Sequence, residues 1–141
     1  MKTNASKSTC CVSYSLNFFG DRWTILILRD MMFDGKKAFI EFLHSDEKIA
    51  SNILNDRLRM LLAEGFVNKR VSPDNKSKFL YSLTDKAIDL LPMIMEIQAW
   101  GEKYNPNSVH LPIMDAWAAD KEGTNRSQQE RLRREREIVE K

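Results

Sequence analysis

The sequence predicts an α+β, mostly helical fold: a winged helix-turn-helix with added N- and C-terminal helices that serve dimerisation. Three observations carry this. The run Trp23–Phe33 is too apolar for a surface helix and too short for a membrane span. A short helical pattern, 39–43, and a longer one, 51–64, are separated by the polar turn Ser45-Asp46-Glu47-Lys48. Two alternating segments follow at once, with Pro73-Asp74-Asn75-Lys76 as turn residues between them.

Taken in order, residues 1–9 are polar and read as a disordered N-terminus, and Val12–Phe19 as a short helix ended by Gly20. Asp21 stands where an N-cap belongs, ahead of the central helix Trp23–Phe33, which stops at Asp34-Gly35. Phe39–Leu43 and Ser51–Glu64 form the helix-turn-helix, closed by Gly65. Residues 66–72 and 79–83 make the wing. Thr84-Asp85 caps a long amphipathic segment to about Tyr104, inside which Pro92 must kink or restart the helix. Beyond Asn105-Pro106-Asn107, Leu111–Ala119 is apolar and 127–141 almost wholly charged, with Glu130/Arg134, Arg131/Glu135, Arg133/Glu137 and Arg136/Glu140 spaced four apart as on a solvated helix. The apolar cluster is too small to fold alone and should dock on the long helix or its symmetry mate. The charged helix, with few apolar residues besides Leu132, Ile138 and Val139, should contribute little. The pattern thus gives a disordered start at 1–9, a folded segment at 10–104, and an extension at 105–141.

Composition narrows the function. The chain has 141 residues, 43% of them hydrophobic, which suits one globular domain. Neither a membrane span nor an apolar signal core is present, so a cytoplasmic location is expected. The net charge is only +2, but residues 48–78 carry +4 and the remainder −2. A basic window in a near-neutral chain suits a surface that meets a polyanion, here double-stranded DNA. On a helical wheel of 49–63, Ile49, Ile53, Leu54, Leu58, Leu61 and Leu62 share the core arc, while Asn52, Asn55, Asp56, Arg59 and Ala63 lie opposite, with Lys48 and Ser51 near the start. Asparagine can bond adenine, and arginine guanine, through two hydrogen bonds each. Arg57 falls on the buried side and is expected in an internal ion pair. Lys76 and Lys78 at the hairpin tip are placed for phosphates.

The two histidines, His44 and His110, stand in no cysteine or carboxylate constellation that suggests a metal site. No nucleophile motif, paired-carboxylate arrangement or phosphate-cradling glycine loop is present. The chain therefore reads as a non-enzyme without metal or cofactor. Trp23, Trp100, Met93 and Met95 at helical spacing point to core or dimer packing.

The string Cys10-x-Val12, Gly20-x-x-Trp23-Thr24-x-Leu26-Ile27-Leu28-Arg29-Asp30, Phe39-x-Glu41, Ile49-x-x-Asn52-Ile53-Leu54-x-x-Arg57-Leu58, Gly65-Phe66-Val67, Tyr81-x-Leu83-Thr84, Leu91-Pro92 and Trp100-Gly101 resembles the HxlR family of bacterial winged helix regulators over residues 10–104. The resemblance implies a homodimer that binds a palindromic operator, needs no metal and catalyses nothing. In several such proteins an N-terminal cysteine responds to oxidants or electrophiles. Cys10 matches that position, and Cys11 adds a second thiol where proline is common. A thiol becomes reactive beside positive charge, such as Lys7, or at a helix start; packing against a dimer partner accounts for Cys10 equally simply. The chain departs from the family at Lys36 (usually proline) and Ala38 (usually arginine), leaving Lys37 as the nearby cation. At Ala50, usually serine, Ser51 supplies the hydroxyl one residue later, as an N-cap or phosphate contact. The implied contact set is Lys37, Lys48, Ser51, Asn52, Asn55, Arg59, Lys76 and Lys78. The alternative is a winged helix that binds only protein, its basic window serving solubility.

Overall fold

The computed structural model describes residues 9–140, with side chains to residue 136. The disordered start expected at 1–9 therefore lies outside the described residues except for Thr9, and Lys7 with it; the side chains of Glu137, Ile138, Val139 and Glu140 also lie outside them. The chain divides into two compact units, one ending at Arg59 and the other beginning at Met60.

In the first unit α1 (Cys11–Phe19) and α2 (Trp23–Phe33) pack together, and α3 (Phe39–Leu43) precedes α4, which runs Ser51–Ala63 and continues past the division. Asp21 caps α2 as expected: its carboxylate accepts from the Trp23 and Thr24 N–H groups and from the Thr24 hydroxyl at 2.9, 3.1 and 2.6 Å. Although partial burial pushes its pKa up, these bonds and the charge of Arg57 prevail and hold it below the ordinary aspartate value. Gly35, at φ +66°, ends α2 in the left-handed region. Ile27, Leu28, Met31, Met32, Phe42, Leu54 and Leu58 form the core.

That core holds one charged group. Asp30 is 3% exposed, and a buried carboxylate persists only when paired and hydrogen-bonded. It is bonded by Arg29 at 2.6 Å, by the Ser45 hydroxyl and by Lys36 at 3.3 Å, while Lys36 also donates to Ser45 at 2.8 Å. The lysine that replaces the usual proline thus faces inward and binds its own chain. Arg29 in turn grips Glu47 through two bonds of 3.0 and 2.9 Å, which hold the Glu47 pKa at about 2. Glu41 accepts from the Lys37 and Ala38 N–H groups at 2.9 and 2.8 Å and so closes the start of α3.

The second unit opens on the end of α4. Gly65, at φ +78°, turns the chain while the Phe66 N–H reaches the Leu61 carbonyl at 2.8 Å and the Gly65 N–H the Leu62 carbonyl at 3.2 Å, a Schellman closure with Phe66 and Leu61 both buried. Strands β1 (Val67–Val71) and β2 (Phe79–Leu83) form an antiparallel hairpin pairing Val67 with Leu83, Lys69 with Tyr81 and Val71 with Phe79. The long segment after Thr84 is broken: α5 (Asp85–Ile88) ends and α6 (Leu91–Tyr104) restarts with Pro92 in its first turn, where a missing N–H costs nothing.

Two expectations need correction. Leu62, assigned to the core arc, is 39% exposed, because burial on α4 follows Leu54, Leu58 and Leu61 and the arc is narrower than the wheel suggested. The charged tail does contribute. Helix α8 (Lys121–Glu140) starts six residues earlier than the charge pattern implied, capped by Asp120, whose carboxylate accepts the Gly123 N–H at 3.0 Å. It packs on α7 (Ile113–Ala119), β2, α5 and α6. Leu132, Met114 and Trp117 are each 4% exposed, Gln129 donates to the Ile88 carbonyl, and Arg133 and Arg136 both bind Asp85. Among the described side chains of α8 the apolar contact is Leu132, and Gln129, Arg133 and Arg136 add polar ones. The Arg131/Glu135 pair forms as expected at 3.1 Å. His110, between α6 and α7, bridges Glu102 at 2.6 Å and Asp115 at 2.9 Å, and these bonds raise its pKa.

Candidate nucleic-acid interface

Helix α4 has one buried flank, so its other flank must meet solvent or a partner. On that outer flank Asn52, Asn55 and Arg59 are all exposed, at spacings of three and four residues that align side chains on one helical face. Ser51, exposed beside them, is the first helical residue; the capping position therefore falls on Ala50, which has no side-chain oxygen. The expected N-cap role of Ser51 is not realised.

Asp56 lies on the same outer flank, and a carboxylate there would repel a polyanion. Arg57 binds it at 2.7 Å and reaches Asp21 at 3.6 Å. The internal ion pair expected of Arg57 is the one with Asp21, and the same guanidinium also pairs with Asp56, the one acidic group among the amides. Cations flank the face. Lys48 is exposed and holds the left-handed φ of +57°, a conformation lysine rarely adopts, on the turn leading into α4. Lys37 is part-buried, its ammonium 3.2 Å from the Gly35 carbonyl.

In the second unit Lys76 and Lys78 are exposed on the hairpin turn, whose shape is set by Asn75 accepting from the Ser77 N–H and hydroxyl at 3.0 and 2.7 Å. Sequence reasoning missed Lys69. It lies exposed on β1 with its ammonium 4.2 Å from the Phe79 ring centroid and 5.9 Å from that of Tyr81. Counting it as one more basic residue hid a geometry that only the strand register reveals.

Cys10 and Cys11 are exposed at the start of α1, and the Cys10 sulfur accepts the Ser13 N–H at 3.5 Å as the helix cap. Trp100, assigned to core or dimer packing, is 68% exposed and takes no part in this chain's core. Among the described residues no group of His, Cys, Asp and Glu is placed to hold a metal ion, and no helix is long and apolar enough to cross a membrane.

Residues 18–109 match the HxlR-like helix-turn-helix family. The HTH-type transcriptional regulator YdeP of Bacillus subtilis is 36% identical over 67% of this chain and 73% of its own length. The redox regulator HypR in its oxidized form superposes with a TM-score of 0.61 at 33% identity, over 68% of this chain and 98% of that one. The transcriptional regulator YodB of B. subtilis, in its reduced form, gives 0.57 at 29% identity over 72% and 100%, and a quinone-bound structure of YodB is similar too.

Proposed function

The chain belongs to the HxlR-like helix-turn-helix family of transcriptional regulators, and on that premise we propose that it binds a palindromic DNA operator as a homodimer. The observation that carries this is the outer flank of α4, where Asn52, Asn55 and Arg59 are exposed while the only carboxylate among them is paired with Arg57 of its own chain. Their side chains read base edges. Ser51, Lys37 and Lys48 hold phosphates beside them, and Lys76 and Lys78 do so from the hairpin. The 10–104 segment is the DNA-binding and dimerisation domain, and 105–141 an extension of it.

Dimerisation is supported by the apolar side chains each helix leaves in water: Val12 and Leu16 on α1 at 69% and 56% exposure, and Ile97, Trp100 and Tyr104 on α6 at 50%, 68% and 59%. A dimer should prefer half-sites about 10 base pairs apart or a multiple of that. The test is a mobility shift with the region upstream of the encoding gene. Arg59→Ala should weaken the specific complex by about 1–3 kcal/mol and leave unrelated DNA nearly unaffected. Equal loss on both DNAs would remove the base-reading role, and no shift on any DNA would leave a protein-binding module.

The signal is proposed to be an oxidant or electrophile acting at Cys10. The exposed thiol at a helix start and the quinone-bound form of the relative YodB support it. A quinone or mild oxidant should lower operator affinity in the parent and not in Cys10→Ser. If Cys10→Ser keeps full sensitivity and Cys11→Ser loses it, the reactive thiol is Cys11.

A further inference from the structure

We propose that Lys69 is a further phosphate-binding residue, held in a ready position by Phe79. This rests on the DNA-binding reading above. The hairpin register puts Val67, Lys69 and Val71 on one face with Leu83, Tyr81 and Phe79 opposite them. That face is buried at its base, where Val67 and Leu83 are 1% and 6% exposed, and open at its far end, where Val71 and Phe79 are 48% and 44% exposed. Lys69 stands at the changeover.

Its ammonium lies over one aromatic ring and near a second. A ring face attracts a cation without neutralising it and leaves the remaining N–H groups free to donate. Four cations of the extension differ in this, since Lys121, Arg131, Arg133 and Arg136 each face a carboxylate within salt-bridge distance. Among the described residues no carboxylate is within that distance of Lys69, Lys76 or Lys78. Residues 67–83 hold four cations and one acid, Asp74. The hairpin therefore presents several uncompensated positive charges along its length, which fits an anion that repeats along a chain. A phosphate backbone has that form, and its sugars fit the exposed Val71 and Phe79. An ordinary surface lysine loses most of its rotamer freedom on binding; Lys69 has given up part of it already to the rings. Phe79 acts through Lys69 and is a positioning residue.

The test is fluorescence anisotropy of the full chain with the operator duplex and with an unrelated duplex, over a salt series. Lys69→Gln should lower affinity for both about fivefold and flatten the slope of log affinity against log salt by about 0.9, one counterion fewer released. Phe79→Leu keeps the charge and so the slope, but should lose about two- to threefold in affinity for both as the ammonium is freed, and Phe79→Tyr should recover it. Thermal melting checks that each variant is folded. An unchanged slope in Lys69→Gln, with the parent binding and Arg59→Ala behaving as expected, overturns this proposal and leaves the regulator intact. Parental affinity in a folded Phe79→Leu overturns the positioning role. A parent that binds no duplex overturns both readings together.

Discussion

Glu47 lies in the turn between α3 and α4, and its two bonds from Arg29 tie that turn to α2. Its pKa of about 2 lies well below the ordinary 4.5. A group whose pKa is depressed on folding adds stability that is whole above the unfolded value and fades as the pH falls through the folded one. For Glu47 that window runs from about pH 4.5 down to about 2. Glu47→Gln should therefore cost about 1–2 kcal/mol near neutrality, since charge-assisted bonds become neutral ones, and should shrink the difference from the parent as the medium is acidified through that window. Urea titrations at several pH values measure this; a constant difference from pH 7 to pH 2 would count against the pairing. Lys36, eleven residues earlier, shows how a basic residue near a binding surface can belong to the interior: its ammonium serves Asp30 and Ser45.

Among the elements, α8 changes most from what its composition suggested. Removing it uncovers Trp117 and Met114 and leaves β2, α5 and α6 without the helix that packs on them. Truncation after Asp120 should lower the melting temperature by about 5–15 °C, as the loss of two or three buried side chains in a domain of this size implies. A melt within a degree of the full chain would mean that α8 adds nothing to stability. Periodicity and end signals made most of the architecture legible in the sequence. Asp21, Gly35, Gly65 and Pro92 each mark a real boundary, because each has a local backbone role that no distant contact can override. The polar row Asn52, Asn55, Arg59 was legible for the same reason, since a helical period decides which residues share a flank. What stayed hidden depends on long-range pairing: the stacking of Lys69 across the hairpin, the inward turn of Lys36, and the docking of a helix whose only clearly apolar described side chain is Leu132.

Over the whole chain, apolar exposure is uneven. Trp100 is 68% exposed, on a helix whose Leu91, Ile94 and Met95 are buried, so this ring contributes little to the folded monomer and is available to a second copy. Trp100→Glu should leave thermal unfolding of the isolated subunit nearly unchanged while converting dimer to monomer in light scattering; an unaltered dimer would take α6 out of the interface. Family similarity stops at residue 109, yet Met114, Trp117 and Leu132 beyond it are as deeply buried as Ile94 and Leu83 before it. Kinship and packing thus draw different borders on this chain. Helix α8 packs on β2, α5 and α6 as well as on α7, so a cut placed where the resemblance ends would pass through shared packing.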